Sequence, residues 1–139
     1  MERRIFIKQG CAACMGLVGA SMLLEGCSSG LPLVKASQQN EVLTIPLNKF
    51  SGNSNLLIVR SSSLESDILL VKNQEGYKAL NLKCTHEGVG LTATDKKIFC
   101  SAHGSSFDFD GNVLKEPALK PLKQFRTEVS NGNIIIHLI

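Results

Sequence analysis

An all-β fold is the expectation for residues 41–139, and three features of the sequence produce it. Short apolar runs rich in Val, Ile, Leu and Phe recur along this stretch, each of strand length and each bounded by Gly, Asn, Asp, Ser or Pro. Turn-forming pairs stand between them. Asp110-Gly111 and Asn131-Gly132 are the strongest, because Asn, Asp and Gly tolerate the positive φ that tight hairpins require. Beyond the leader no apolar period of a helix is sustained over a useful length, so nothing competes with the strands.

The first strand is expected over 42–47, where Pro46 lacks a backbone donor and therefore suits a sheet edge. The second covers 56–60, Leu-Leu-Ile-Val-Arg. Segments 67–72 and 77–82 pair as a hairpin over Asn73-Gln74-Glu75-Gly76. A short strand at 96–100 leads into Cys100. Segments 106–109 and 112–114 form a hairpin over Asp110-Gly111, and 125–130 with 133–139 close the domain over Asn131-Gly132.

The 139 residues, 43% of them hydrophobic, suffice for one domain. Net charge is +3; residues 1–26 hold three basic and two acidic side chains, which leaves +2 for the rest. So even a balance gives no basis for a nucleic-acid partner, and none is expected. Residues 1–26 form a leader: a basic start, then an apolar run from about Gly10 to Leu24 that is too short and too rich in Gly and Ala for a membrane span. Residues 27–40 are mostly small and polar and read as a linker, which as flexible coil spans on the order of 20 Å.

Of the five cysteines, Cys11 and Cys14 lie in the leader and Cys27 closes it, so only Cys84 and Cys100 belong to the domain. A single disulfide is one reading of such a pair in an exported protein. The histidines argue for another. Cys84-Thr85-His86-Glu87-Gly88 is answered by Cys100-Ser101-Ala102-His103-Gly104-Ser105, so each segment offers one thiolate and one imidazole. A Cys₂His₂ set of this kind can hold zinc or an iron–sulfur pair.

The two segments resemble those of the Rieske 2Fe–2S family, whose loops read Cys-x-His-x-Gly and Cys-x-x-His-Gly-Ser. The resemblance covers roughly residues 41–139. It implies stacked small antiparallel sheets from which two loops project as a cluster-binding subdomain. It also implies one 2Fe–2S cluster, with Cys84 and Cys100 on the inner iron and His86 and His103 on the outer one. Gly88, Gly104, Ser105 and Phe107 would surround the cluster, and 117–122 matches the family's proline-bearing loop, which shields one side. Neutral imidazoles in place of thiolates raise the potential, and their protonation can couple to reduction.

Two departures separate this chain from the quinol-oxidising branch. Val89 and Ala102 stand where that branch carries a disulfide, so the loops are expected to lose order without the metal. Ser105 matches a hydroxyl donor of high-potential members, but Phe107 replaces their Tyr, which predicts a lower potential.

The function implied is electron transfer by a membrane-anchored, exported protein, as the iron–sulfur subunit of a quinol-oxidising, cytochrome-type respiratory complex. The partner would then be a cytochrome b/c-type assembly, with a quinol hydrogen-bonded to His103 or His86. The alternative is a ferredoxin-like donor or acceptor for a separate exported oxidoreductase; a structural zinc domain is more remote. No catalytic residues are assigned, because the only further histidine is His137, too few to build a mononuclear iron site. Glu87, Asp95, Asp108 and Asp110 read as loop acids, and Lys96 and Lys97 as a solvated turn.

The leader fits this picture. Arg3 and Arg4 before Ile5-Phe6 resemble a twin-arginine export signal, a route for proteins already folded around a cofactor; an ordinary secretory signal is the alternative. Leu23-Leu24-Glu25-Gly26-Cys27 resembles a lipobox with Cys27 as the lipidated residue, although Glu25 departs from the pattern; the alternatives are an inert Cys27 thiol or an uncleaved leader that serves as the anchor. The expected location is the bacterial cell envelope, anchored to a membrane and facing the periplasm or the exterior.

Overall fold

The computed structural model describes residues 30–50 and 52–139; Arg3, Arg4 and Cys27 lie outside the described residues. Apart from a 3₁₀ turn at Leu47–Lys49, the described elements are all strands. They are β1 (Leu33–Lys35), β2 (Gln38–Gln39), β3 (Val42–Pro46), β4 (Leu56–Arg60), β5 (Ile68–Asn73) and β6 (Gly76–Asn81). Then follow β7 (Thr92–Ala93), β8 (Ile98–Phe99), β9 (Ser106–Phe107), β10 (Val113–Lys115), β11 (Gln124–Ser130) and β12 (Asn133–His137). The expected all-β class holds.

Eight strands hydrogen-bond in the order β1-β4-β5-β6-β11-β12-β3-β2, and a smaller sheet runs β10-β9-β8-β7. The large sheet curls over on itself. Its hinge is β11, where Gln124 and Phe125 pair with β6 while Arg126 to Ser130 pair with β12. Curling brings Leu43, Ile45, Ile134 and Ile136 of β3 and β12 against Leu57, Val59, Ile68, Leu70 and Ala79 of β4 to β6.

Because side chains alternate across a strand, the other face of β4 to β6 presents Leu56, Leu69, Val71 and Leu80. These join Leu82, Ile98, Phe107, Ala118, Leu122 and both cysteines in a second core, beneath the small sheet. Strand β5 is thus apolar on both faces, which accounts for its unbroken Ile-Leu-Leu-Val run. The Asn131-Gly132 hairpin forms as expected, with φ of 49° and 75°, and joins β11 to β12.

The linker expectation needs correction. Within 27–40, Leu33–Lys35 pairs parallel to β4, and Gln38–Gln39 pairs antiparallel to β3. Backbone bonds from Ile58 N to the Pro32 carbonyl and from Ala36 N to the Arg60 carbonyl, at 2.8 and 2.9 Å, tie the segment down at both ends of β1.

Candidate metal centre

Cys84 and Cys100 open two loops built alike. Gly88 N donates to the Cys84 carbonyl at 2.8 Å and Cys84 N to the Val89 carbonyl at 2.8 Å. In the second loop Gly104 N donates to the Cys100 carbonyl at 3.0 Å and Cys100 N to the Ser105 carbonyl at 2.8 Å. Each loop therefore closes on its own cysteine through a glycine with positive φ, 72° at Gly88 and 82° at Gly104, where a Cβ would be strained. The bases are clamped by the Lys83–Gly90 bridge and by pairing of Phe99 with Ser106.

The two loops divide their donors by depth. Both cysteines are free thiols and buried, packed with Leu82, Ile98 and Phe107. His86 and His103 are exposed, and their rings meet edge to face with centroids 4.9 Å apart. One ring nitrogen each of His86 and His103 and a carboxylate oxygen of Glu87 all lie within 4.8 Å of one another, a set that neither cysteine sulfur joins. Thiols inside and imidazoles outside suit a pair of irons, one held by sulfur and one by nitrogen, better than a single tetrahedral zinc.

Ser105, which closes the second loop, and Phe107 just after it are fully buried. The Ser105 hydroxyl oxygen accepts from Ala118 N at 3.0 Å, and among the described residues its proton has no acceptor. A buried hydroxyl with a spare proton is the feature expected beside cluster sulfur. The proline-bearing segment touches both loops: besides the Ala118 bond, Thr85 Oγ1 donates to the Lys120 carbonyl at 2.7 Å. Leu122 anchors it from behind, donating its amide to the Gly111 carbonyl at 2.8 Å.

Behind β9, Asp108 organises the next turn. Its carboxylate accepts from Asp110 N and Asn112 N at 2.9 and 2.8 Å and from Asn112 Nδ2 at 3.2 Å. Burial alone would push this carboxyl up, but the bonds from Asn112, Asp110 and Gly111 outweigh it and hold it below the usual carboxylate range.

Three participants were not evident in the sequence. Glu87 read as a loop acid, yet its Oε2 lies 3.4 Å from His103 Nε2. Thr85 and Ala118 carried no signal, because their bonds join segments far apart in the chain. His137 belongs to β12 in the large sheet and takes no part in the loops.

The model of the Rieske [2Fe-2S] domain matches residues 46–126. The chain belongs to the Rieske family. A Rieske domain binds one 2Fe–2S cluster, which when bound supplies reversible one-electron transfer, so the zinc alternative gives way.

Among its Rieske relatives is the cytochrome b6-f complex iron-sulfur subunit of Chlorobaculum thiosulfatiphilum, 30% identical over 148 aligned positions that cover 97% of this chain and 75% of that protein. The chloroplastic cytochrome b6-f complex iron-sulfur subunit of Bigelowiella natans is 37% identical over 73 residues, 48% of this chain and 29% of that one. The chain spans less than two thirds of the length of several further relatives of the same description.

Among solved structures, the cyanobacterial plasma membrane Rieske protein PetC3 from Synechocystis PCC 6803 is 30% identical with a TM-score of 0.50. The match covers 59% of this chain and 85% of that one. A complex of reduced oxygenase and oxidized ferredoxin in carbazole 1,9a-dioxygenase contains a chain matched at a TM-score of 0.54 and 19% identity, over 72% of this chain and 95% of that one. At that identity the likeness is one of fold.

Proposed function

We propose that Cys84 and Cys100 hold the inner iron of the Rieske cluster and His86 and His103 the outer one. We further propose that the protein is the exported, membrane-anchored iron–sulfur subunit of a quinol-oxidising, cytochrome-type complex. The observation that carries the ligand assignment is the division of donors, buried thiols beneath two exposed, converging imidazoles. In this arrangement Phe107, Leu82 and Ile98 keep water from the thiols, while the exposed imidazoles offer a partner a wet edge of the centre. An outer ring nitrogen of His86 or His103 is the atom that would accept a quinol's hydrogen bond.

The choice of partner is supported by the Chlorobaculum relative, a cytochrome b6-f complex subunit that aligns with nearly the whole chain. A second reading, a ferredoxin-like donor or acceptor for a separate exported oxidoreductase, draws support from Val89, Ala102 and Phe107, which replace the disulfide and the Tyr of the quinol-oxidising branch. Among the described residues no helix is long and apolar enough to cross a membrane. The proposed anchor is Cys27 and the proposed export signal holds Arg3 and Arg4, all outside the described residues.

An EPR-monitored redox titration of the iron-loaded protein, repeated across several pH values, tests the reading. A Rieske-type signal whose potential falls as pH rises through neutrality is expected for exchange with a quinol. A low potential independent of pH would favour the ferredoxin-like role, and bound zinc with no signal would overturn the centre. Replacing Arg3 and Arg4 by Lys should leave the precursor in the cytoplasm; undiminished export would overturn the twin-arginine assignment.

A further inference from the structure

We propose that Glu87 is a positioning residue for the metal centre. Its carboxylate accepts the Nε2–H of His103 across the two loops, and so holds that imidazole in the tautomer that leaves Nδ1 for iron. The inference rests on His103 being a ligand, as proposed above.

The geometry supplies the first ground. Glu87 Oε2 approaches His103 Nε2 to 3.4 Å, slightly beyond a hydrogen bond, and Glu87 is exposed enough to close the gap by a small side-chain rotation. Among the described residues no other carboxylate lies within ion-pairing distance of either loop histidine. Metal-bound imidazoles characteristically donate their second ring N–H to a carboxylate, a carbonyl or water, which fixes ring orientation and tautomer. Glu87 offers that acceptor to His103, whereas His86 has no such partner among the described residues. The two imidazoles are therefore inequivalent, His103 capped and His86 open to an approaching partner.

The second ground is mechanical. Glu87 belongs to the first loop and His103 to the second, so their contact joins the loops directly. The other polar ties run through the proline-bearing segment, by way of Thr85 with Lys120 and Ser105 with Ala118. Val89 and Ala102 supply no covalent link between the loops. A carboxylate–imidazole contact at the exposed edge meets part of that need without one. It also sets a negative charge beside the outer iron site, which opposes the arrival of an electron.

Glu87→Gln and Glu87→Ala, each made in the full iron-loaded protein, test this. Glutamine keeps an acceptor oxygen at the same reach but removes the charge. The potential should rise, shifting the reduction equilibrium about threefold to fivefold toward the reduced form, while iron is retained as in the parent. Alanine removes both charge and acceptor; the potential should rise and a chelator should strip iron about tenfold faster. Parent-like potential and iron loss in both variants, with a normal Rieske EPR signal, would overturn the role of Glu87 alone. A parent protein that loads zinc and gives no such signal would instead overturn the ligand assignment beneath it.

Discussion

The amide of Ala118 donates to the hydroxyl of Ser105 at 3.0 Å, and both residues are fully buried. The bond fixes the Ser105 oxygen from behind and leaves its proton free to point toward the loops. One side chain thereby ties the proline-bearing segment to the second loop and still keeps a hydroxyl proton to donate.

Ser105→Ala should register in two separate measurements. Loss of the donor should lower the potential, because hydrogen bonds to sulfur favour the reduced, more negative state. The Ala118 amide would be left buried without a partner, costing about 1–3 kcal/mol in a denaturant titration. An unchanged potential together with lost stability would reduce Ser105 to a structural role.

Phe107→Tyr should act in the opposite direction. Phe107 is wholly buried beside Cys84 and Cys100, so a hydroxyl added there must find an acceptor or carry a desolvation penalty of about 1–3 kcal/mol. A raised potential with nearly parental stability is the result expected if cluster sulfur is that acceptor. Lower stability with no rise would show that the ring points its para position elsewhere.

Removing iron should disorder 84–89 and 100–105 and leave the curled sheet intact. Each loop closes on itself through two backbone bonds, whereas the core of Leu43, Ile45, Leu57, Ile68, Leu70, Ile134 and Ile136 includes neither loop. NMR of the apoprotein should lose dispersed amide signals at the loops alone. Sharp, dispersed loop signals would contradict this.

Asp108 should contribute a pH-dependent increment of stability. Its carboxyl is held below the usual carboxylate range in the folded state, so the increment is complete above the unfolded value of about 3.9 and is lost as pH falls through the lower folded value. Asp108→Asn should therefore destabilise by on the order of 0.5–1 kcal/mol near pH 7, a modest figure because the carboxylate is partly solvated. The gap between variant and parent should shrink in acid. A gap independent of pH would assign the loss to altered turn geometry instead of to charge.

What could be read from the sequence was what neighbours along the chain determine. Alternating apolar positions and the Asn131-Gly132 pair specified strands and a hairpin, because both depend on backbone geometry over a few residues. The offsets of His86 from Cys84 and of His103 from Cys100, with Gly88 and Gly104 close behind, pointed to the family for the same reason. Tertiary structure decided what depends on distant partners. Leu33–Lys35 is too short and too mixed to announce itself, and becomes a strand only because β4 offers a parallel edge. Glu87 follows His86 in sequence, but the curl of the sheets and the two closed loops set it against His103. Ser105 carries a hydroxyl in any fold; only packing against Ala118 fixes its oxygen and frees its proton. Local chain geometry sets periods and turns, whereas contacts across loops form when the cores close, and no short window of sequence contains them.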